Sequence, residues 1–133
     1  MLKNTLNSIS PLDGRYATKL EDLEQYFSEF ALIKNRVLVE INWLIFMSRT
    51  KSLSFIPALS KSKENSLLKV IDNFSIKDAE QIKKIEAKTN HDVKAVEIFI
   101  GKKLESLNLN KYKEFIHLFC TSEDINNLSY SLM

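Results

Sequence analysis

Glu29-Phe30-Ala31-Leu32-Ile33-Lys34-Asn35-Arg36-Val37-Leu38-Val39-Glu40-Ile41-Asn42-Trp43-Leu44-Ile45-Phe46-Met47-Ser48-Arg49 is the stretch that decides the fold. Phe30, Ile33, Val37, Ile41, Leu44 and Ile45 recur at the three-and-four spacing of one helix face, and Lys34, Asn35, Glu40, Asn42 and Arg49 are left for the other sides. Trp43 and Phe46 widen the apolar arc, which predicts contact with more than one neighbour. A long helix with this stripe is architecture, and the rest of the chain is expected to pack around it.

Composition points the same way. The 133 residues include only two Gly and two Pro, so turns are scarce and helix formers dominate. The expected class is all-α. The formal charge of +2 comes from 19 basic and 17 acidic residues mixed along the chain, which builds no field suited to nucleic acid. Cys120 is the single cysteine, so no intrachain disulfide can form, and a reducing cytoplasm is the expected setting. Two histidines and one cysteine far apart in sequence give no metal-ligand spacing, and no metal is expected. The first residues lack the apolar core of a signal peptide, and the apolar run from Leu38 to Met47 is broken by Glu40 and Asn42. No membrane partner is expected.

Other helices follow from the same periodicity. A short one is expected over residues 20–27. Another spans 61–74 on Leu67, Leu68, Val70 and Ile71, after a Pro57-containing connector. Ser75 with Asp78 three residues on forms a capping-box pattern, and Ile76, Ala79, Ile82 and Ile85 carry a helix to about Lys88. Val93, Val96, Ile100, Leu104 and Leu107 mark the next, with Gly101 inside it. Residues 111–120 read as an aromatic-rich buried segment holding His117 as a packed or supporting histidine. Thr121 with Asp124 repeats the capping-box pattern ahead of a stripe of Ile125, Leu128 and Leu132. The apolar pattern still runs at Met133, from which a chain cut within a helix is expected.

Chemistry collects where helices begin. Thr89-Asn90-His91-Asp92 joins two helices, and the unpaired N–H groups of a first turn make such a place a ready anion site. Thr89 and Asn90 are good capping types. His91 at that end is expected as a neutral, hydrogen-bonding or proton-exchanging imidazole, with Asp92 able to orient it or to accept a bond itself. Thr121 and Ser122 offer hydroxyls at a second helix start. In Ser10-Pro11-Leu12-Asp13-Gly14-Arg15-Tyr16 a tight turn delivers Arg15, suited to bidentate grip on phosphate or carboxylate, beside Tyr16.

Three stretches together, residues 10–16, 89–97 and 114–127, resemble the N-terminal part of the bacterial adenylosuccinate lyase family, within the superfamily of fumarase, aspartase and argininosuccinate lyase. Asp13-Gly14-Arg15-Tyr16 with Asn90-His91-Asp92 carries the likeness to that branch. The resemblance implies a helical N-terminal domain over residues 1–111 and, over 112–133, the start of a central bundle of long helices. It implies elimination of fumarate from adenylosuccinate, giving AMP, and from the succinylocarboxamide intermediate of purine synthesis, without metal or organic cofactor. Arg15 and Tyr16 would hold the nucleotide; Asn90, His91 and Asp92 would line the site near the reacting centre; Thr121 and Ser122 would bind a succinyl carboxylate. The family's base is a Ser on a mobile loop and its usual general acid a further His, neither of them in this chain, so His91 is expected in a supporting electrostatic or acid-base role. Sites shared between subunits of a homotetramer are implied too, and the segment alone is expected to be inactive. The alternative is a short non-enzymatic module that binds a purine nucleotide or docks on a full-length lyase.

Overall fold

The computed structural model describes residues 5–133. Six α-helices follow one another: α1 (Glu21–Phe27), α2 (Glu29–Arg49), α3 (Lys61–Asp72), α4 (Ile76–Thr89), α5 (Asp92–Ser106) and α6 (Ser122–Leu132). Short 3-10 turns lie between some of them, and among the described residues there is no strand. The all-helical expectation holds, and the expected helices all form.

The long helix α2 is the axis. Ser28 caps it by accepting the Ala31 N–H at 3.1 Å. It packs against α1, α3, α4, α5 and α6, while α4 and α5 lie along each other as a pair. Surrounded in this way, α2 buries residues on several sides, including Val37, Ile41, Leu44 and Met47. Each such side chain contributes about 1.5–3 kcal/mol of burial. The main core joins these to Leu67 and Ile71 of α3, Ile82 of α4, and Val96, Phe99, Ile100 and Leu104 of α5. A smaller cluster of Val39, Val93 and Ile125 packs α2 under the first turns of α5 and α6. That cluster is what brings the two helix starts to the same side of the axis.

Polar pins fix the loops. Arg49 grips the buried Glu64 at the start of α3 with both arms of its guanidinium. Tyr112, fully buried, donates its hydroxyl to the Ala58 carbonyl at 3.1 Å. Trp43 Nε1–H donates to the Leu118 carbonyl at 2.8 Å, tying the segment before α6 to α2.

Several expectations are corrected. Glu40, left by spacing to a side away from the apolar stripe, is nonetheless 1% exposed, because α5 and the segment before α6 cover that side of α2. Residues 111–120 are not one buried element: a 3-10 helix, Asn110–Phe115, is followed by a turn in which Phe119 lies exposed. Leu128 and Leu132 are likewise exposed, and α6 buries only Ile125 and Ser129. No helix among the described residues is long and apolar enough to cross a membrane.

Candidate functional site

The junction between α4 and α5 is built differently from the sequence expectation. Thr89 ends α4 rather than capping α5, and Asn90 closes α4 in the left-handed region at φ 52°. Asparagine tolerates that conformation because its short polar side chain interferes little with the backbone. His91 is the residue that caps α5, its Nδ1 accepting the Lys94 N–H at 3.1 Å. With Nδ1 an acceptor, the ring's N–H is at Nε2; Asp92 Oδ1 lies 3.8 Å from Nδ1, beyond hydrogen-bond reach, so of its two expected roles Asp92 takes that of accepting bonds itself. Asp92 turns instead to the Val93 N–H at 2.8 Å and to Arg36 at 2.7 Å. Burial works against the charge of Asp92, yet the Val93 N–H and the Arg36 guanidinium outweigh it and hold the carboxyl below its usual range.

At the second helix start, Thr121 and Asp124 form the expected capping box. The Asp124 carboxylate accepts the Thr121 N–H at 2.7 Å and the Thr121 hydroxyl at 2.9 Å. Those bonds hold the Asp124 carboxyl below its usual range. An internal carboxylate therefore already occupies the donors of Thr121, and an incoming anion must take them from Asp124 or use Ser122. Ser122 is half-buried.

Arg36 joins the two starts. It is 6% exposed, reaches Asp92 with one terminal nitrogen, and donates Nε–H to the side-chain amide oxygen Oδ1 of Asn126 at 3.0 Å. One guanidinium on α2 thus sets the first turns of α5 and α6 against each other. Asn90 and His91 are exposed at the rim of this arrangement, with Asp92 half-buried beneath them. Sequence reading missed Arg36 and Asn126. The available signal was the pair of charged residues Arg36 and Glu40, one turn apart and bracketing the apolar Val37, Leu38 and Val39.

Arg15 and Tyr16 stand apart. The turn forms as expected, with the Gly14 and Tyr16 N–H groups bonded to the Pro11 carbonyl, and it leaves both side chains exposed. The Arg15 guanidinium lies 5.6 Å from the centre of the Tyr16 ring. Among the described residues, no hydrogen bond or ion pair links this pair to the α5 and α6 starts. Among the described residues, no group of three or more His, Cys, Asp and Glu side chains is placed to hold a metal ion.

An all-helical architecture with polar helix starts converging on a central helix is consistent with the N-terminal domain of the lyase superfamily that the motifs resemble. Comparison with known proteins narrows this class. The chain is 48% identical over its whole length to adenylosuccinate lyase of Haemophilus influenzae, and 47% identical, again over its whole length, to that of Legionella pneumophila. It is 45% identical, over 98% of its length, to adenylosuccinate lyase of Escherichia coli K12. No family model matches the chain. The chain corresponds to the N-terminal portion of these adenylosuccinate lyases. It spans 29% of the length of these relatives.

Proposed function

We propose that these residues supply part of the substrate site of an adenylosuccinate lyase, which eliminates fumarate from adenylosuccinate and from the succinylocarboxamide intermediate of purine synthesis. The observation that carries this reading is the 45–48% identity to three adenylosuccinate lyases over 98–100% of the chain. The chemistry of the site supports it. The succinyl dicarboxylate and the nucleotide phosphate both need hydrogen-bond donors or cations, and the chain offers helix-start N–H groups, Ser and Thr hydroxyls and the exposed Arg15.

Each residue then has a role. Arg15 and Tyr16 hold the nucleotide, Arg15 at its phosphate. Asn90, His91 and Asp92 line the site near the reacting centre. Thr121 and Ser122 take a succinyl carboxylate. His91 presents Nε2–H, as an electrostatic or proton-assisting group beside a main acid and base from elsewhere in the complete enzyme. Residues 112–133 open the central bundle, the sites are shared between subunits of a homotetramer, and the enzyme works in the cytoplasm without a cofactor.

The test is a chimera in which these 133 residues replace the matching portion of the Haemophilus influenzae relative. Fumarate formation from adenylosuccinate is expected within about tenfold of the parent, and His91→Ala is expected to lower it by about 100-fold, the usual scale for a proton-assisting group. Unchanged turnover in the variant, or normal turnover by the 133-residue chain alone, overturns the reading. Saturable AMP binding by the short chain, lost in Arg15→Ala, points instead to a self-sufficient binding module.

A further inference from the structure

Glu40 is a buried carboxyl that the proposed site does not use. Its Oε1 lies 2.6 Å from His117 Nδ1, while Oε2 is sealed from solvent without a hydrogen-bond partner. A buried carboxyl with one empty acceptor is costly, so its retention in the middle of α2 needs a reason. His117 is also unusual. It sits in the left-handed region at φ 61°, and Phe119 follows at φ 65°. Bulky side chains disfavour that conformation, so two such residues within three need external restraint. The restraint comes from α2, through the Glu40 contact with the His117 ring and the Trp43 bond to the Leu118 carbonyl. This turn leads directly into Thr121.

The charged groups around Glu40 come from three elements. On α2 itself, Arg36 one turn earlier is committed to Asp92 and Asn126. From α5, Glu97 opposes a charge on Glu40 and is itself paired with Lys94 at 2.8 Å. From the turn, His117 favours the charge through its ring and its main-chain N–H, and Cys120 feels the Glu40 charge. Asp124 of α6 in turn feels His117. Among these groups, His117 is therefore the one that favours a charge on Glu40. Burial raises the Glu40 carboxyl above its usual range and His117 opposes that rise.

We propose that Glu40 is a positioning residue for the start of α6: its carboxylate holds the proton of His117 on Nδ1 and leaves Nε2 as the open nitrogen. It thereby fixes the left-handed turn that sets Thr121 and Ser122. The consequence for ligand binding rests on the reading of α6 as the end that takes a carboxylate. Among the described residues, His117 Nε2 makes no hydrogen bond, and it is not among the buried atoms that lack a partner. A buried carboxylate behind Nδ1 with an open Nε2 in front is the arrangement that fixes an imidazole's tautomer and orientation.

The test needs no substrate, so it separates this proposal from the functional reading. Long-range proton–nitrogen spectra of the 133-residue chain, taken well above the ordinary histidine range, report the tautomer of His117 directly. The expected result is a proton on Nδ1 in the wild type and a shift toward Nε2 in Glu40→Gln. Amide exchange supplies the second readout. Glu40→Gln is expected to speed exchange at Cys120 and Thr121 by about tenfold while leaving Val96 and Ile100 of α5 unchanged. A wild-type His117 protonated on Nε2 overturns the proposal whether or not the variant folds. So does an exchange increase spread evenly over α5 and α6, which marks general loss of stability.

Discussion

Arg36 and Asp92 form one bond with unequal ends. The Arg36 side chain is 7% exposed and that of Asp92 is 45% exposed, so the loss of either partner has a different cost. Asp92→Asn leaves a guanidinium shut in the protein without its counter-charge, and we expect a loss of about 2 kcal/mol, below the range for fully buried pairs because Asn126 and the new amide oxygen still accept. Arg36→Met leaves Asp92 free to meet water and keep the Val93 N–H, and we expect about 1 kcal/mol. Urea unfolding of both variants at neutral pH checks the order, and an equal loss would show that Asp92 is not water-accessible when unpaired. The pH dependence has a definite sign. The folded carboxyl lies below its unfolded value, so its contribution is whole above about pH 5 and is lost as pH falls through about 4 toward the folded value. The stability gap between wild type and Asp92→Asn is expected to narrow over that acid range.

At the scale of the element, α5 offers a simple gain. Gly101 lies inside this helix with ordinary helical backbone, and a Cβ placed there meets Lys113 Cε at 3.5 Å and Ile116 Cδ1 at 3.9 Å. Those are normal contacts with flexible side chains, so Gly101→Ala is expected to stabilise by about 0.5–1 kcal/mol through helix propensity alone. A rise in the urea midpoint without a change in slope is the expected reading, and a fall would mean that the 3-10 segment above it cannot adjust. Helices such as α5 were legible in the sequence because a 3.6-residue period is local information. So were the capping boxes at Ser75 and Thr121, where residues three apart bond each other. His91 was harder: imidazole is not a leading cap type, and the chain offered Thr89 and Asn90 beside it. Arg36 and Glu40 were hidden for another reason. Their partners Asn126 and His117 lie 90 and 77 residues away, and no period says which polar residue of a surrounded helix faces a neighbour and which faces water.

At the scale of the whole molecule, α6 shows how one stripe can divide. Ile125, Leu128 and Leu132 share a helical spacing, yet Ile125 is 1% exposed whereas Leu128 and Leu132 are more than half exposed. The division arises because α6 crosses α2 by its first turns, where Val39 and Val93 receive Ile125. Beyond that crossing, Leu128 and Leu132 join Trp43, Phe46 and Phe119 around an open apolar groove of about 660 Å³. Trp43 and Phe46 stack at 5.5 Å along its wall, so the wide apolar arc of α2 serves the core on one side and this groove on the other. Two kinds of substitution therefore part company. Ile125→Ala is expected to cost about 2–5 kcal/mol, as for a buried aliphatic side chain that leaves a cavity. Changing Leu128 and Leu132 together to Gln is expected to alter stability by no more than about 1 kcal/mol, since both are already largely in water. The same double change is expected to lower the fluorescence of a bound apolar dye such as anilinonaphthalene sulfonate, because it removes one wall of the groove. Retained dye fluorescence in the double variant would locate the apolar surface elsewhere, and a stability loss matching that of Ile125→Ala would mean that the whole stripe is packed in solution.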